Sequence, residues 1–238
     1  MISVKGLTKS FGDYTALKDL DLNVDTGSVY GLIGINGSGK TTLIKQLTGI
    51  IKPDAGEISF DGQMVYDNTE LKQRIGFIPD ELYFFGNYNL KSMASFYKGL
   101  FKNWNQERFE KMTEDFGLSM NGRINRFSKG MQKQAAFILT MSTMPDYLIL
   151  DEPIDGLDPL MRKKLWGYIL GDVAERQLTV LISSHNLREL EGICDAIGIL
   201  NKGKIQFEGK LDQLKEEMKD MSLEEIFVYE MEGGAVNE

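Results

Sequence analysis

Nine consecutive residues carry the clearest chemical signal in this 238-residue sequence: Gly34-Ile35-Asn36-Gly37-Ser38-Gly39-Lys40-Thr41-Thr42. Their spacing fits G-x-x-x-x-G-K-[ST], in which glycines let the backbone curl until successive N–H groups face one concavity. An apolar run, Tyr30 to Ile33, precedes the loop, and a helix-like run, Thr41 to Leu47, follows it. The positive end of that helix would add to the cradle, so a polyphosphate finds donors already aimed. Lys40 is then expected to reach the β- and γ-phosphates, and the Thr41 hydroxyl to hold Mg²⁺. A glycine-rich structural turn is the plain alternative, and both flanks speak against it.

A phosphate-bound metal needs a second carboxylate at the end of a neighbouring strand. Tyr147-Leu148-Ile149-Leu150-Asp151 supplies one, with Asp151 on the metal, generally through water. Glu152 follows directly and is placed to act as general base on an attacking water. An acidic pair that merely ends a strand is the alternative, which the glycine-rich loop weighs against. His185 is the only histidine, and a lone histidine after a strand is more often structural than catalytic.

The elements that must carry these residues alternate. Strand-like runs recur at Ile2 to Val4, Leu20 to Val24, Tyr30 to Ile33, Ile58 to Phe60, Ile75 to Ile78, Tyr147 to Leu150, Thr179 to Ser183 and Ala196 to Leu200. Several are apolar on both faces, as central parallel strands under helices are, and helical patterns lie between them, so the fold class is α/β. Asn201-Lys202-Gly203 reads as a three-residue hairpin connection leading to Lys204 to Phe207. From Leu90 to Leu118 no strand signal occurs. There Leu90, Met93, Phe96, Tyr97, Leu100, Phe101 and Trp104 recur at helical spacing, a stripe expected to pack inside a helical lobe. The run from Leu211 to Val228, including Met218, is amphipathic and expected to cover an edge of the domain.

Composition narrows the function classes. Hydrophobic residues are 42% and charged residues 26%, values of a folded globular chain. The longest apolar run, Val29 to Ile35, is far too short to span a membrane, and the first residues lack a signal peptide's apolar core. One cysteine, Cys194, allows no internal disulfide and suits a reducing compartment. The net charge of −8 argues against a nucleic-acid partner. Residues 208–238 hold ten acids against three lysines, so most of the imbalance lies in this tail, read as a solvated helix face.

The order of motifs resembles that of the ATP-binding cassette (ABC) ATPases, the motor subunits of ABC transporters, over essentially the whole chain. After the phosphate loop comes Ser128-Lys129-Gly130-Met131-Gln132, similar to the family signature Leu-Ser-Gly-Gly-Gln, then Asp151-Glu152-Pro153, then Gly156-Leu157-Asp158 as the D-loop. His185, in Ser183-Ser184-His185, falls at the switch histidine. The resemblance implies a P-loop NTPase (RecA-like) fold, with a mostly parallel core sheet, an antiparallel β subdomain and an inserted helical lobe. Residues 1–238 would form a single ABC ATPase domain, with the lobe at about 86–127 and the acidic helical tail at about 208–238. It further implies a head-to-tail dimer with a second cassette around two Mg-ATP, each ATP held by one chain's P-loop and by Ser128, Lys129, Gly130 and Gln132 of the other, with Asp158 at the junction. His185 would bind and orient the γ-phosphate. Phe11 matches the adenine-stacking aromatic, with Tyr14 the other candidate. A separate integral membrane permease would be driven through the lobe, placing the chain in the cytoplasm against the inner face of the cell membrane.

Two departures stand out. Asp80, in Ile75-Gly76-Phe77-Ile78-Pro79-Asp80, occupies the place of the family's usual glutamine at the metal-sensing loop; a carboxylate there is expected to bind Mg²⁺ as well. Lys129 replaces the first signature glycine, and with Met131 this resembles bacterial single-cassette exporter subunits more than importers. Three rival readings have less support. A soluble ABC clamp in DNA repair or translation usually carries two cassettes or a long insertion. A GTPase would need Asn-Lys-x-Asp, whereas Asn201-Lys202-Gly203 is followed by Lys204. A degenerate regulatory subunit fits poorly with an intact Glu152 and His185.

Overall fold

The computed structural model describes residues 1–185, 187–217 and 221–231. Ten strands are described: β1 (Ile2–Phe11), β2 (Tyr14–Val24), β3 (Val29–Ile33), β4 (Ala55–Phe60), β5 (Gln63–Met64), β6 (Ile75–Ile78), β7 (Tyr147–Asp151), β8 (Thr179–Ser183), β9 (Ala196–Asn201) and β10 (Lys204–Lys210). The helices are α1 (Lys40–Leu47), α2 (Thr69–Lys72), α3 (Leu90–Leu100), α4 (Gln106–Phe116), α5 (Lys129–Met141), α6 (Pro159–Arg176), α7 (Leu187–Glu191), α8 (Leu211–Glu217) and α9 (Leu223–Met231).

Two sheets organise the molecule. A six-stranded sheet runs β10-β9-β3-β8-β7-β6, parallel throughout except for the edge strand β10. A four-stranded antiparallel sheet runs β2-β1-β4-β5. Every residue of β3, β7 and β8 is buried, which is why these strands read as unbroken apolar runs. β1, β2 and β4 are longer than their apolar runs in the sequence, because one solvated face lets polar residues alternate into them.

One core layer gathers Tyr30, Leu32, Leu43, Leu47, Ile149 and Leu181 with the inner face of the antiparallel sheet. The other lies under the helices, with Leu148, Leu150, Val180 and Ile182 against Phe137, Ile138 and Phe109. In the lobe, α3 and α4 pack on α5. Asparagines cap both: Asn89 accepts from the Ser92 N–H and Asn105 from the Arg108 N–H. Leu211, Leu214, Leu223 and Ile226 are buried, so the described part of the tail does cover the core beside β10 and α7. Met218 and residues 232–238 lie outside the described residues.

Two expectations need correcting. Asn201 pairs with Lys204, so the hairpin loop is the two residues Lys202-Gly203 and not three. Both have positive φ, 46° and 80°, as the type I′ turn that matches strand twist requires. The aromatic stripe of the lobe is only partly internal. Leu90 and Met93 are buried, but Phe96 and Leu100, the last residue of α3, are exposed. Phe85 packs edge-on against Phe96 and beside Tyr88, and with Tyr83, 85% exposed, these rings form an open aromatic patch.

Candidate functional site

The carboxyl ends of neighbouring parallel strands are where an open α/β sheet offers a crevice. β3 sits between β8 and β9, and β7 sits between β8 and β6. The loop Gly34 to Gly39 leaves β3 there, Asp151 ends β7, Ser183 ends β8, and Asp80 follows β6 after Pro79. Parallel register fixes their relative heights: Ser183 is opposite both Leu32 and Asp151.

The loop is shaped by its glycines. Gly37 has φ 79° and Gly39 φ 116°, a left-handed path that side-chain-bearing residues rarely follow. A Cβ at Gly39 would also lie 2.8 Å from the Ala16 carbonyl oxygen. Gly39 is the N-cap of α1, and no side chain caps that helix. Ser38 is buried with its hydroxyl unpartnered, a polar atom awaiting an acceptor or donor inside the cradle. Ile35, Asn36 and Gly37 form the exposed crest. These are the properties of a phosphate cradle, so the residues fit the ligand that their spacing predicts.

Lys40 is buried, its Nζ donating to the Gly34 carbonyl at 2.6 Å and to that of Ile35 at 3.3 Å. Burial lowers its pKa, and the charges of Glu152 and Asp151 oppose that shift. The Thr41 hydroxyl donates to Asp151 Oδ2 at 3.2 Å, and the Ser183 hydroxyl donates to Asp151 Oδ1. A hydroxyl and a buried carboxylate thus stand side by side, the hard oxygen donors that Mg²⁺ takes. Thr42, half-buried, continues α1 and lines the cavity.

Glu152 adopts φ 47°, its N–H donating to the Ser183 carbonyl at 3.1 Å and its carbonyl accepting from Lys133 Nζ at 2.6 Å. Its Oε2 meets His185 Nδ1 at 2.9 Å and accepts from the His185 backbone N–H at 3.4 Å. That hydrogen bond, then the carboxylate charge, raises the His185 pKa. The ring is exposed.

The remaining candidates fall in three places. Ser128 is the N-cap of α5, its Oγ accepting from the Met131 N–H at 3.2 Å, with Lys129 exposed beside it. A Cβ at Gly130 would stand 2.8 Å from the Gly156 carbonyl oxygen, so the signature helix lies directly on the D-loop. Gln132 turns its amide back to the Phe127 carbonyl, 3.0 Å away. Asp158 caps α6, accepting from the N–H groups of Leu160 and Met161. None of Ser128, Lys129, Gly130, Gln132 and Asp158 lines the two cavities, of roughly 210 and 220 Å³, that flank the phosphate loop.

Two placements differ from what the sequence suggested. Tyr14, not Phe11, lies on the cavity wall, its hydroxyl donating to the Gly37 carbonyl at 3.2 Å. Phe11, paired with Tyr14 across the hairpin, is 48% exposed beneath the Lys9 ammonium. Asp80 does not join Thr41 and Asp151; its carboxylate pairs with Lys133 at 3.4 Å, a cation that competes with a metal ion. Sequence reasoning missed Lys133 altogether. Its signal was a lysine heading the apolar stretch Ala135 to Leu139, a place where a charge is kept only if partnered.

Comparison with known proteins agrees with this geometry. The family model for "ABC transporter" matches residues 17–155. The chain is 34% identical over 218 residues to the bacitracin transport ATP-binding protein BcrA of Bacillus licheniformis, covering 90% of this chain and 71% of that protein. It is 30% identical over 246 residues to the ABC transporter ATP-binding protein NatA of Bacillus subtilis, covering 98% and 99%. A solved structure described as the ATP-binding subunit of an ABC transporter superposes with a TM-score of 0.90 at 27% identity, covering 97% of this chain and 99% of that one. The cradle, the strand-end carboxylates and these matches together show that the chain belongs to the ATP-binding ATPases of the ABC transporter family.

Proposed function

We propose that the chain is the motor of an exporter: it dimerises head to tail around two Mg-ATP, hydrolyses them, and drives a separate membrane-spanning permease from the inner face of the membrane. The observation that carries this reading is the convergence of Lys40, Thr41, Asp151, Glu152 and His185 at the ends of β3, β7 and β8. The backbone N–H groups of Gly37 to Thr41 bind the phosphates, and Lys40 leaves the Gly34 carbonyl to pair with the β- and γ-oxygens. Thr41 and Asp151 hold Mg²⁺, which when bound neutralises charge on those oxygens. Glu152 takes a proton from the attacking water, and His185, held by the Glu152 carboxylate, orients the γ-phosphate.

The dimer is supported by the position of Ser128 and Lys129, exposed and away from the walls of their own chain's phosphate cavities. A second chain can therefore receive them. Among the described residues no helix is long and apolar enough to cross a membrane, so transport calls for a membrane partner. The open patch of Tyr83, Phe85, Tyr88, Phe96 and Leu100 on the lobe is the surface that suits it. A role in transport is supported by similarity to a protein named for bacitracin transport. On exposure and place, Phe11 supplies the adenine platform and Tyr14 the wall beside it.

The test uses Glu152→Gln. The variant should bind Mg-ATP within about threefold of wild type, lose at least about 100-fold in turnover, and step from monomer to dimer by light scattering when Mg-ATP is added. Wild-type turnover removes Glu152 as base, and a monomer at saturating Mg-ATP removes the homodimer.

A further inference from the structure

We infer that Lys133 is a positioning residue for Glu152, and that Asp80 is the counter-ion through which the loop after β6 acts on it. The inference rests on the reading of Glu152 as base. Glu152 has φ 47°, a conformation that a residue with a side chain keeps only where its surroundings hold it. Glycine would adopt it freely but would bring no carboxylate. Two hydrogen bonds hold its backbone: the Ser183 carbonyl takes its N–H at 3.1 Å, and Lys133 Nζ donates to its carbonyl at 2.6 Å. The first is an extension of the sheet. The second is a side chain reaching from the second turn of α5.

Lys133 is itself buried, and an ammonium taken out of water must be matched by hydrogen bonds and opposite charge. The Glu152 carbonyl and the Asp80 carboxylate, 3.4 Å away, provide them. Asp80 is the exposed member, its side chain 54% accessible, on the loop that runs from β6 toward Tyr83 and Phe85. One buried cation therefore joins an exposed loop beside the aromatic patch to the peptide that aims Glu152. Moving Asp80 away leaves Lys133 with the carbonyl alone, and moving Lys133 frees the carbonyl end of a strained peptide.

The full chain carries the test as Lys133→Met, Lys133→Arg, Asp80→Asn and the double Lys133→Met/Asp80→Asn, with Mg-ATP affinity by calorimetry, steady-state kcat and KM, and thermal unfolding. Lys133→Met should lose about 30-fold in kcat with Mg-ATP affinity within about threefold, the pattern of a misaimed base rather than lost binding. Lys133→Arg should restore kcat to within about fivefold of wild type. Asp80→Asn should lose about fivefold, and the double variant should be no slower than Lys133→Met, since both act through one contact. Retention of kcat within twofold in Lys133→Met, or fully multiplicative losses in the double variant, overturns the inference. Should Lys133→Met fail to fold, the exposed Asp80→Asn decides: unchanged kcat overturns it equally. The two readings separate cleanly, because wild-type turnover by Glu152→Gln sinks the base, whereas an inactive Glu152→Gln beside a fully active Lys133→Met sinks only the role of Lys133.

Discussion

The helices α1 and α5 both start at positions assigned here to nucleotide phosphates, yet their first turns are finished differently. α1 has Gly39 as N-cap, no side chain on its free N–H groups and no acid in its first turn. α5 has the Ser128 hydroxyl on the Met131 N–H, and α6, beginning on the D-loop, has the Asp158 carboxylate on two N–H groups. A helix start needs its orphan donors satisfied, and a capping side chain does this from within. α1 omits the cap, adds a left-handed glycine and buries a lysine instead. Its donors are reserved for an anion from outside, whereas those of α5 and α6 already serve the folded chain. In the signature, a ligand must therefore share Ser128 with the helix it caps.

The comparison breaks most visibly at Gly39. Gly39→Ala places a Cβ 2.8 Å from the Ala16 carbonyl on a residue at φ 116°. It should cost at least about 2 kcal/mol in urea unfolding and abolish Mg-ATP binding by calorimetry. A stable variant with near-normal affinity would show that the left-handed path is not needed for the cradle. The capped starts are expected to respond more mildly. Ser128→Ala and Asp158→Ala should each cost about 1 kcal/mol of stability while Mg-ATP affinity of the single chain stays within about twofold. Ser128→Ala should also lower turnover at protein concentrations where dimers form. Loss of binding by the single chain would mean that Ser128 touches its own nucleotide.

The smallest effect concerns His185. Its hydrogen bond to Glu152 raises the ring pKa above 6.5, so the pairing is complete below that value and is lost as pH rises through the raised folded-state pKa. NMR titration of the ring should show this upward shift in wild type and its disappearance in Glu152→Gln. An unshifted wild-type ring would exclude the contact in solution.

Much of this was legible before any coordinates. β3, β7 and β8 announced themselves because central parallel strands are apolar on both faces, and the residues at their ends then had to meet in one crevice. Helical spacing likewise identified α3 but not its neighbours: it grouped Phe96 and Leu100 with Met93, although only Met93 turns inward. Periodicity describes a face and says nothing of whether that face is covered. Lys133 and Asp80 were illegible as a pair because they are 53 residues apart and meet only when α5 packs beside β6. That Tyr14 leans on the loop was illegible for a similar reason, since which ring of a hairpin does so depends on how the two sheets stack.

The β9–β10 turn adds a constraint on timing. Gly203 donates its N–H to the Ser38 carbonyl at 2.9 Å and accepts from the Lys18 N–H at 2.9 Å, while a Cβ at Gly203 would stand 2.6 Å from the Ala16 carbonyl. The turn is thus a wedge that braces the phosphate loop from behind. During synthesis at about 5–20 residues per second, Gly203 emerges roughly ten to thirty seconds after Ser38. A nascent chain of this protein therefore carries its glycine-rich loop without this brace until Gly203 has emerged.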